Sequence, residues 1–143
     1  MTDHFPLHVD IEPRFRDTDA MGHVNNAVYV TYLEVARQEY WRRFWTTGYS
    51  TVPFVMARIE LDLRSPVKLG EIVRVELRTD WISRSSFGMS YRLTEVKSGR
   101  LVSDAKTVAV TFDYETETSM PVPDEIRQHF VEIEGRELPG KPR

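Results

Sequence analysis

Between residues 14 and 26 the chain reads Arg-Phe-Arg-Asp-Thr-Asp-Ala-Met-Gly-His-Val-Asn-Asn, and its chemistry is concentrated there. Two carboxylates, Asp17 and Asp19, stand with Gly22 and His23 just ahead of a run with helical spacing. The first N–H groups of a helix have no partner within it, and the positive end of its dipole lies there. Such a place polarises a carbonyl oxygen or binds an anion, and a carboxylate nearby stays ionised in the same field. Asp19 reads as a base or nucleophile, with backbone N–H groups around Asn26 as donors to an oxyanion. The same residues admit plainer roles: an Asp before a helix caps it or forms an Asx turn, His23 serves as a structural hydrogen-bonder, and Asn25 and Asn26 act as caps. Spacing alone does not choose between these readings.

The absences narrow the reaction classes. The sequence contains no cysteine, which removes disulfide scaffolds, thiolate metal sites and a Cys nucleophile together. No phosphate-binding glycine loop, dinucleotide fingerprint, G-x-S-x-G elbow or H-E-x-x-H pair occurs. The four histidines, at 4, 8, 23 and 129, are not paired at ligand spacing, so no metal and no other cofactor is expected. A net charge of -3 with both signs interspersed gives no pull toward nucleic acid, although local Arg clusters suit a phosphorylated ligand. No segment approaches the ~20 apolar residues of a membrane span. The opening MTDHFPLHVDIEPRF has neither a basic leader nor an apolar stretch, and a cytoplasmic location without membrane contact is expected.

The elements that must position this segment follow from periodicity. Residues 7–15 alternate Val9, Ile11 and Phe15 against His8, Asp10, Glu12 and Arg14, a half-buried strand that Pro13 assigns to an edge. Residues 27–45 place Thr31, Glu34, Gln38 and Arg42 at helical spacing among apolar and aromatic residues, predicting one long helix with a wide apolar face. A face so wide needs more than one neighbour, and a curved sheet would cover it. Alternating runs at 55–63, 73–77 and 87–93 predict strands, the more continuous run 108–112 predicts a strand covered on both sides, and Ser98-Gly99 a hairpin turn. A short helix is predicted after Pro123, through Ile126 and Phe130. With 143 residues, 41% of them hydrophobic, the chain suits one domain over 1–133. Residues 134–143 read as a polar tail. The expected class is α+β, an antiparallel sheet wrapped around one long central helix.

The run D-T-D-A-M-G-H-V-N-N-A-V-Y-V-T-Y-L-E-V-A-R resembles the signature of the 4-hydroxybenzoyl-CoA thioesterase-like branch of the hotdog superfamily. FVMARIELDLRSPVKLGE and WISRSSFGMSY are similar to that family's second strand with its following turn and to the start of a mid-sheet strand. The resemblance spans residues 7 to 125 in the order of elements and is motif-specific in the first third. It implies an acyl-CoA thioesterase of hotdog fold, with Asp19 at the catalytic position and the backbone N–H at or beside Asn26 polarising the carbonyl. It makes Asp17 structural, places Gly22, His23 and Asn25 around the substrate, and sets Arg84, Ser85 and Ser86 where relatives contact the CoA arm. It also implies a homodimer or homotetramer whose chains share a site at their interface, with Arg58 and Glu60 of the second strand facing the neighbour's Asp19.

The implied reaction has physical sense. A thiolate leaving group, with a reference thiol pKa of about 8.5, departs without strong acid help. A single carboxylate and an oxyanion site can then suffice, Asp19 either attacking the carbonyl or deprotonating a water. Three other readings compete: a hotdog protein that binds acyl-CoA or acyl-ACP without turnover, an acyl-ACP thioesterase, and a hotdog dehydratase. The last calls for a helical His that residues 31–45 lack. An interaction domain using its sheet edge is a further class, and it would bind no CoA ester.

Overall fold

Alternation with a period of two governs the chain after its first helix, and the strands fall where that alternation runs. The computed structural model describes residues 4–43 and 53–143. Strand β1 (Leu7–Ile11) and a 3-10 turn (Phe15–Asp17) precede helix α1 (Val28–Arg42); strands β2 (Phe54–Leu63), β3 (Val73–Ile82), β4 (Ser86–Glu95) and β5 (Leu101–Asp113) follow, then a short strand β6 (Thr118–Ser119) and helix α2 (Asp124–Glu134). The sheet order is β1-β3-β4-β5-β2, with β6 paired to β5, and every pairing is antiparallel. Both β1 and β2 are therefore edges. This α+β arrangement of an antiparallel sheet and two helices is that of the hotdog fold.

The core lies between α1 and one face of the sheet. Leu33, Ala36 and Tyr40 of α1 are fully buried against Val73, Val75 and Leu77 of β3 and Phe87 and Leu93 of β4. The helix lies over β1 and β3, so the same face of β2 stays open and Ile59 and Leu63 remain exposed. Helix α2 seats Phe130 against the rings of Tyr40, Trp41 and Phe87 and ends at Gly135, whose positive φ suits the left-handed cap.

Several elements depart from the pattern in the sequence. Helix α1 has 15 residues, not the long helix expected over 27–45; Arg43 N–H already turns back to the Tyr40 carbonyl at 3.3 Å, the tightening that closes a helix. Phe44 and Trp45 lie outside the described residues. Strand β1 stops at Ile11, because Pro13 has no N–H to extend the ladder, and Phe15 sits exposed in the 3-10 turn. In β2 the register shifts between Met56 and Arg58, so Ala57 is an extra residue and the alternation changes phase. Phe54 and Met56, not Val55 and Ala57, share the inner face with Ile59, Leu61 and Leu63. The outward-facing Val108, Val110 and Phe112 of β5 are only half-buried, not covered on both sides. Glu134, which composition placed in the tail, is the buried last residue of α2. No helix among the described residues is long and apolar enough to cross a membrane.

Candidate active site

Residues 17–28 form a tight loop that leads into α1. The Asp19 N–H donates to the His23 carbonyl at 2.8 Å, and Gly22 N–H returns to the Asp19 carbonyl at 3.0 Å. The reversal needs a positive φ, +80° at Gly22, which glycine adopts without strain. Asp19 Oδ1 accepts from Met21 N–H at 2.9 Å and His23 N–H at 3.3 Å. The Asx turn foreseen as the plain role of Asp19 is thus present. It engages one oxygen only, for Oδ2 accepts no hydrogen bond from the described residues.

The loop is pinned on both sides. Val24 N–H donates to the Val67 carbonyl, and Asn25 N–H to the Asp17 carbonyl, each at 2.8 Å. Asn25 Oδ1 accepts from Ala27 N–H at 3.0 Å, so Asn25 acts as a turn-former just ahead of the helix. The helix begins at Val28, after an Ala27 that offers no capping side chain. Asn26 is exposed, and its N–H donates to no described group.

Asp17 sits beneath. It is buried and accepts from Arg14 N–H at 2.9 Å, the Arg14 guanidinium at 3.1 Å and the Tyr32 hydroxyl at 3.0 Å. Burial pushes its carboxyl up, but the Arg14 backbone N–H, the Arg14 guanidinium and the Tyr32 hydroxyl outweigh burial and hold it below the ordinary carboxylate value.

Asp19, His23 and Asn26 line one cavity of about 250 Å³ with Tyr29, Leu63, Arg64 and Ser65. Asp19, with one carboxylate oxygen unengaged, and Asn26, with its N–H unengaged, thus line a common space. Gly22 and Asn25 shape the loop without lining that cavity. Tyr29 and Ser65 did not emerge as site residues from sequence. Tyr29 is buried at the start of α1, and burial raises its phenol above the ordinary value, an effect that the Val67 backbone N–H counters only in part. Its one signal was a Tyr in the first turn of the predicted helix. Among the described residues, no three His, Cys, Asp or Glu side chains converge as metal ligands.

Arg84, Ser85 and Ser86 are not brought to Asp19 within one chain. Arg84 and Ser85 lie in the β3–β4 turn and Ser86 opens β4; the Arg84 and Ser85 carbonyls accept from Val122 and Thr111 N–H. The register runs from Ser86 beside Val110 to Leu93 beside Ser103, which pairs in turn with the Leu63 end of β2. Seven residues of strand, roughly 23 Å, separate that turn from the Asp19 cavity.

A family model described as the thioesterase-like superfamily matches residues 13–130. The chain belongs to this superfamily. It is similar to the long-chain acyl-CoA thioesterase FadM of Escherichia coli (strain K12), 26% identical over 131 residues that cover 89% of this chain and 98% of that protein. Among solved structures, a thioesterase from Thermus thermophilus complexed with coenzyme A and Zn superposes with a TM-score of 0.87 at 36% identity, covering 96% of this chain and 100% of that one. A predicted thioesterase from Bacillus stearothermophilus gives 0.81 at 26% identity, covering 93% of this chain and 98% of that one. Membership and these relatives support a thioester hydrolase.

Proposed function

We propose that the chain is an acyl-CoA thioesterase in which Asp19 is the catalytic carboxylate and the Asn26 N–H polarises the thioester carbonyl. The observation that carries this reading is the shared cavity of Asp19 and Asn26. Support for the CoA ester comes from FadM, named for acyl-CoA hydrolysis, and from the Thermus relative solved with coenzyme A. Acting as base, Asp19 takes a proton from water, the hydroxide bonds to the carbonyl carbon, and the oxyanion rests on the Asn26 N–H. The C–S bond then breaks, the thiolate leaves and is protonated, and the acid is released. Acting as nucleophile, Asp19 forms a mixed anhydride that water opens to the same products.

The site is completed by a second copy. Strand β2 is an edge with an exposed apolar inner row, and such edges are paired or covered. Two β2 strands joined antiparallel about a two-fold axis set the Phe54 end of one beside the Leu63 end of the other. The partner's β3–β4 turn, with Arg84, Ser85 and Ser86, then stands at the Asp19 end of this chain, in reach of the CoA arm, and Arg58 and Glu60 lie close to the axis. His23 lines the mouth. The domain so assembled runs through Glu134, the end of α2, in each copy, one residue beyond the 1–133 expected from sequence.

Asp19→Asn tests the assignment because it keeps the turn and changes the chemistry. The amide oxygen still accepts from Met21 and His23, so stability should move by less than ~1 kcal/mol. Thiol release from acyl-CoA should fall by at least ~10³-fold, the scale of losing a principal catalytic group. Thiol release that survives in this variant leaves Asp19 as a turn-former alone. Binding of acyl-CoA by the wild type without any thiol release favours the binding-protein reading.

A further inference from the structure

The open inner row of β2 is apolar, yet a half-buried cation stands on the strands beside it. Arg37 of α1 is half-buried and donates from Nη1 to the Tyr91 hydroxyl at 3.2 Å. That hydroxyl, on a side chain 2% exposed, also shares a 2.8 Å bond with Thr107 Oγ1. No carboxylate of the described residues pairs with Arg37. Half-buried cations without a counter-charge are uncommon, since desolvation has to be offset by something. The remaining guanidinium N–H groups are donors awaiting an acceptor.

The position of Arg37 says where that acceptor would come from. One turn further along α1, Trp41 packs on Phe54 at the start of β2, with ring centroids 4.9 Å apart, so this flank of the helix faces the open side of the sheet. Tyr91 pairs with Ala105 and Met89 with Thr107 across β4 and β5, and Ala105 and Thr107 pair with Leu61 and Ile59 of β2. The polar cluster thus lies over the Leu61 and Ile59 rows. Leu63, at the end of that path, already lines the Asp19 cavity. Along the strand, Leu61 and Ile59 stand roughly 7 and 13 Å from Leu63. Two strand spacings of about 4.8 Å separate β2 from Tyr91 on β4, so an acyl group leaving the Asp19 cavity along this apolar row and turning toward β4 meets Arg37 roughly 12–16 Å from the thioester.

We propose that Arg37, seated on Tyr91 and Thr107, is a specificity-determining residue that selects acyl groups carrying a hydrogen-bond acceptor, a carboxylate or a hydroxyl, roughly 12–16 Å from the thioester carbonyl. The proposal rests on the thioesterase reading and deepens it by naming the acyl class. An unsubstituted chain of that length leaves the guanidinium buried and unmatched, which costs affinity. An acceptor there forms a charge-assisted bond.

The test is kcat/KM for thiol release from decanoyl-CoA, ω-hydroxydecanoyl-CoA and ω-carboxydecanoyl-CoA by the wild type, Arg37→Met and Arg37→Lys, each checked for native circular dichroism. The wild type should prefer an ω-substituted ester over decanoyl-CoA by about tenfold or more, the scale of one charge-assisted bond. Arg37→Met should reduce the preference to within about twofold while turning over decanoyl-CoA at least as well, and Arg37→Lys should keep the carboxylate preference better than the hydroxyl one. Equal use of all three esters by the wild type, or a preference that persists in Arg37→Met, overturns the proposal while the thioesterase reading stands. A wild type that releases thiol from none of a wider panel overturns both.

Discussion

The Tyr32 hydroxyl donates to Asp17 Oδ2 at 3.0 Å, tying the second turn of α1 to the turn that carries Asp19. Asp17 also holds Arg14 and, through its carbonyl, the Asn25 N–H. The loop bearing the candidate catalytic carboxylate is therefore fastened to the helix from below, and Asp19 keeps one oxygen free because Asp17 takes the anchoring role.

Removing that hydroxyl should be costly. Tyr32→Phe takes one donor from a buried carboxylate, and loss of a hydrogen bond to a charged group costs about 1.5–3 kcal/mol. The pH dependence carries a sign. The Asp17 carboxyl is held below its unfolded value, so its contribution is present above about pH 3.9 and is lost as pH falls through the folded pKa. Urea titrations between about pH 7 and pH 3 should show a wild-type decline at the acid end that is shallower in Tyr32→Phe. Identical acid slopes would remove Asp17 as the loop's electrostatic anchor.

Glu134 should show the opposite sign. It accepts from the Tyr40 hydroxyl at 2.8 Å and from Thr79 N–H at 2.9 Å, joining α2 to α1 and β3. Burial raises its carboxyl, an effect that these two donors and Arg136 counter only in part. The folded state therefore favours the protonated acid, and stability is fullest below the unfolded value of about 4.3 and declines as pH rises through the folded pKa. Glu134→Gln keeps an acceptor and removes the charge, so the stability gap between variant and wild type should shift toward the variant as pH rises from about 4.3 through the folded pKa. A gap that stays constant over that range would show that Glu134 does not titrate there.

Thr111 offers a gain. Its Oγ1 is buried without a hydrogen-bond partner, while its N–H is engaged by the Ser85 carbonyl at 2.8 Å. Valine has nearly the same shape and leaves the backbone bond in place. Thr111→Val should stabilise the fold by roughly 1 kcal/mol, the low end of the penalty for an unsatisfied buried polar group. A midpoint in denaturant that moves downward would mean that the hydroxyl has a partner in solution.

Much of this architecture was legible because alternation reports burial directly. Strands β3 and β4 fall on their alternating runs, β1 is an edge as Pro13 required, and α2 starts just past Pro123. Non-local features were not legible. The phase change at Ala57 depends on pairing with β5, and nothing in the local pattern marks a bulge. The end of α1 and the burial of Glu134 depend on what packs against them. In the site, the Asp-x-Asp spacing located the loop, and the structure brings Asp19, His23 and Asn26 to one cavity. The contribution of Tyr29 follows only from how the start of α1 packs beside the loop, and the distance from Asp19 to Ser86 only from the sheet register.

That distance makes the last prediction discriminating. If Asp19 of one copy works with Arg84 of the other, two inactive variants should complement. Asp19→Asn removes the carboxylate, and Arg84→Glu sets a negative charge where the phosphorylated CoA arm approaches, without touching the backbone bond from Val122. In a mixed dimer, one site carries both lesions and the other carries neither, because each lesion belongs to a different half-site. Unfolding the two variants together and refolding them should therefore recover about a quarter of wild-type thiol release, since half of the dimers are mixed and each has one intact site. Sites contained within single chains would give no recovery, every site then bearing one lesion. Sedimentation of the refolded mixture separates these outcomes from a failure to associate, because recovery with a monomer in solution would contradict the shared site just as firmly as a dimer without recovery.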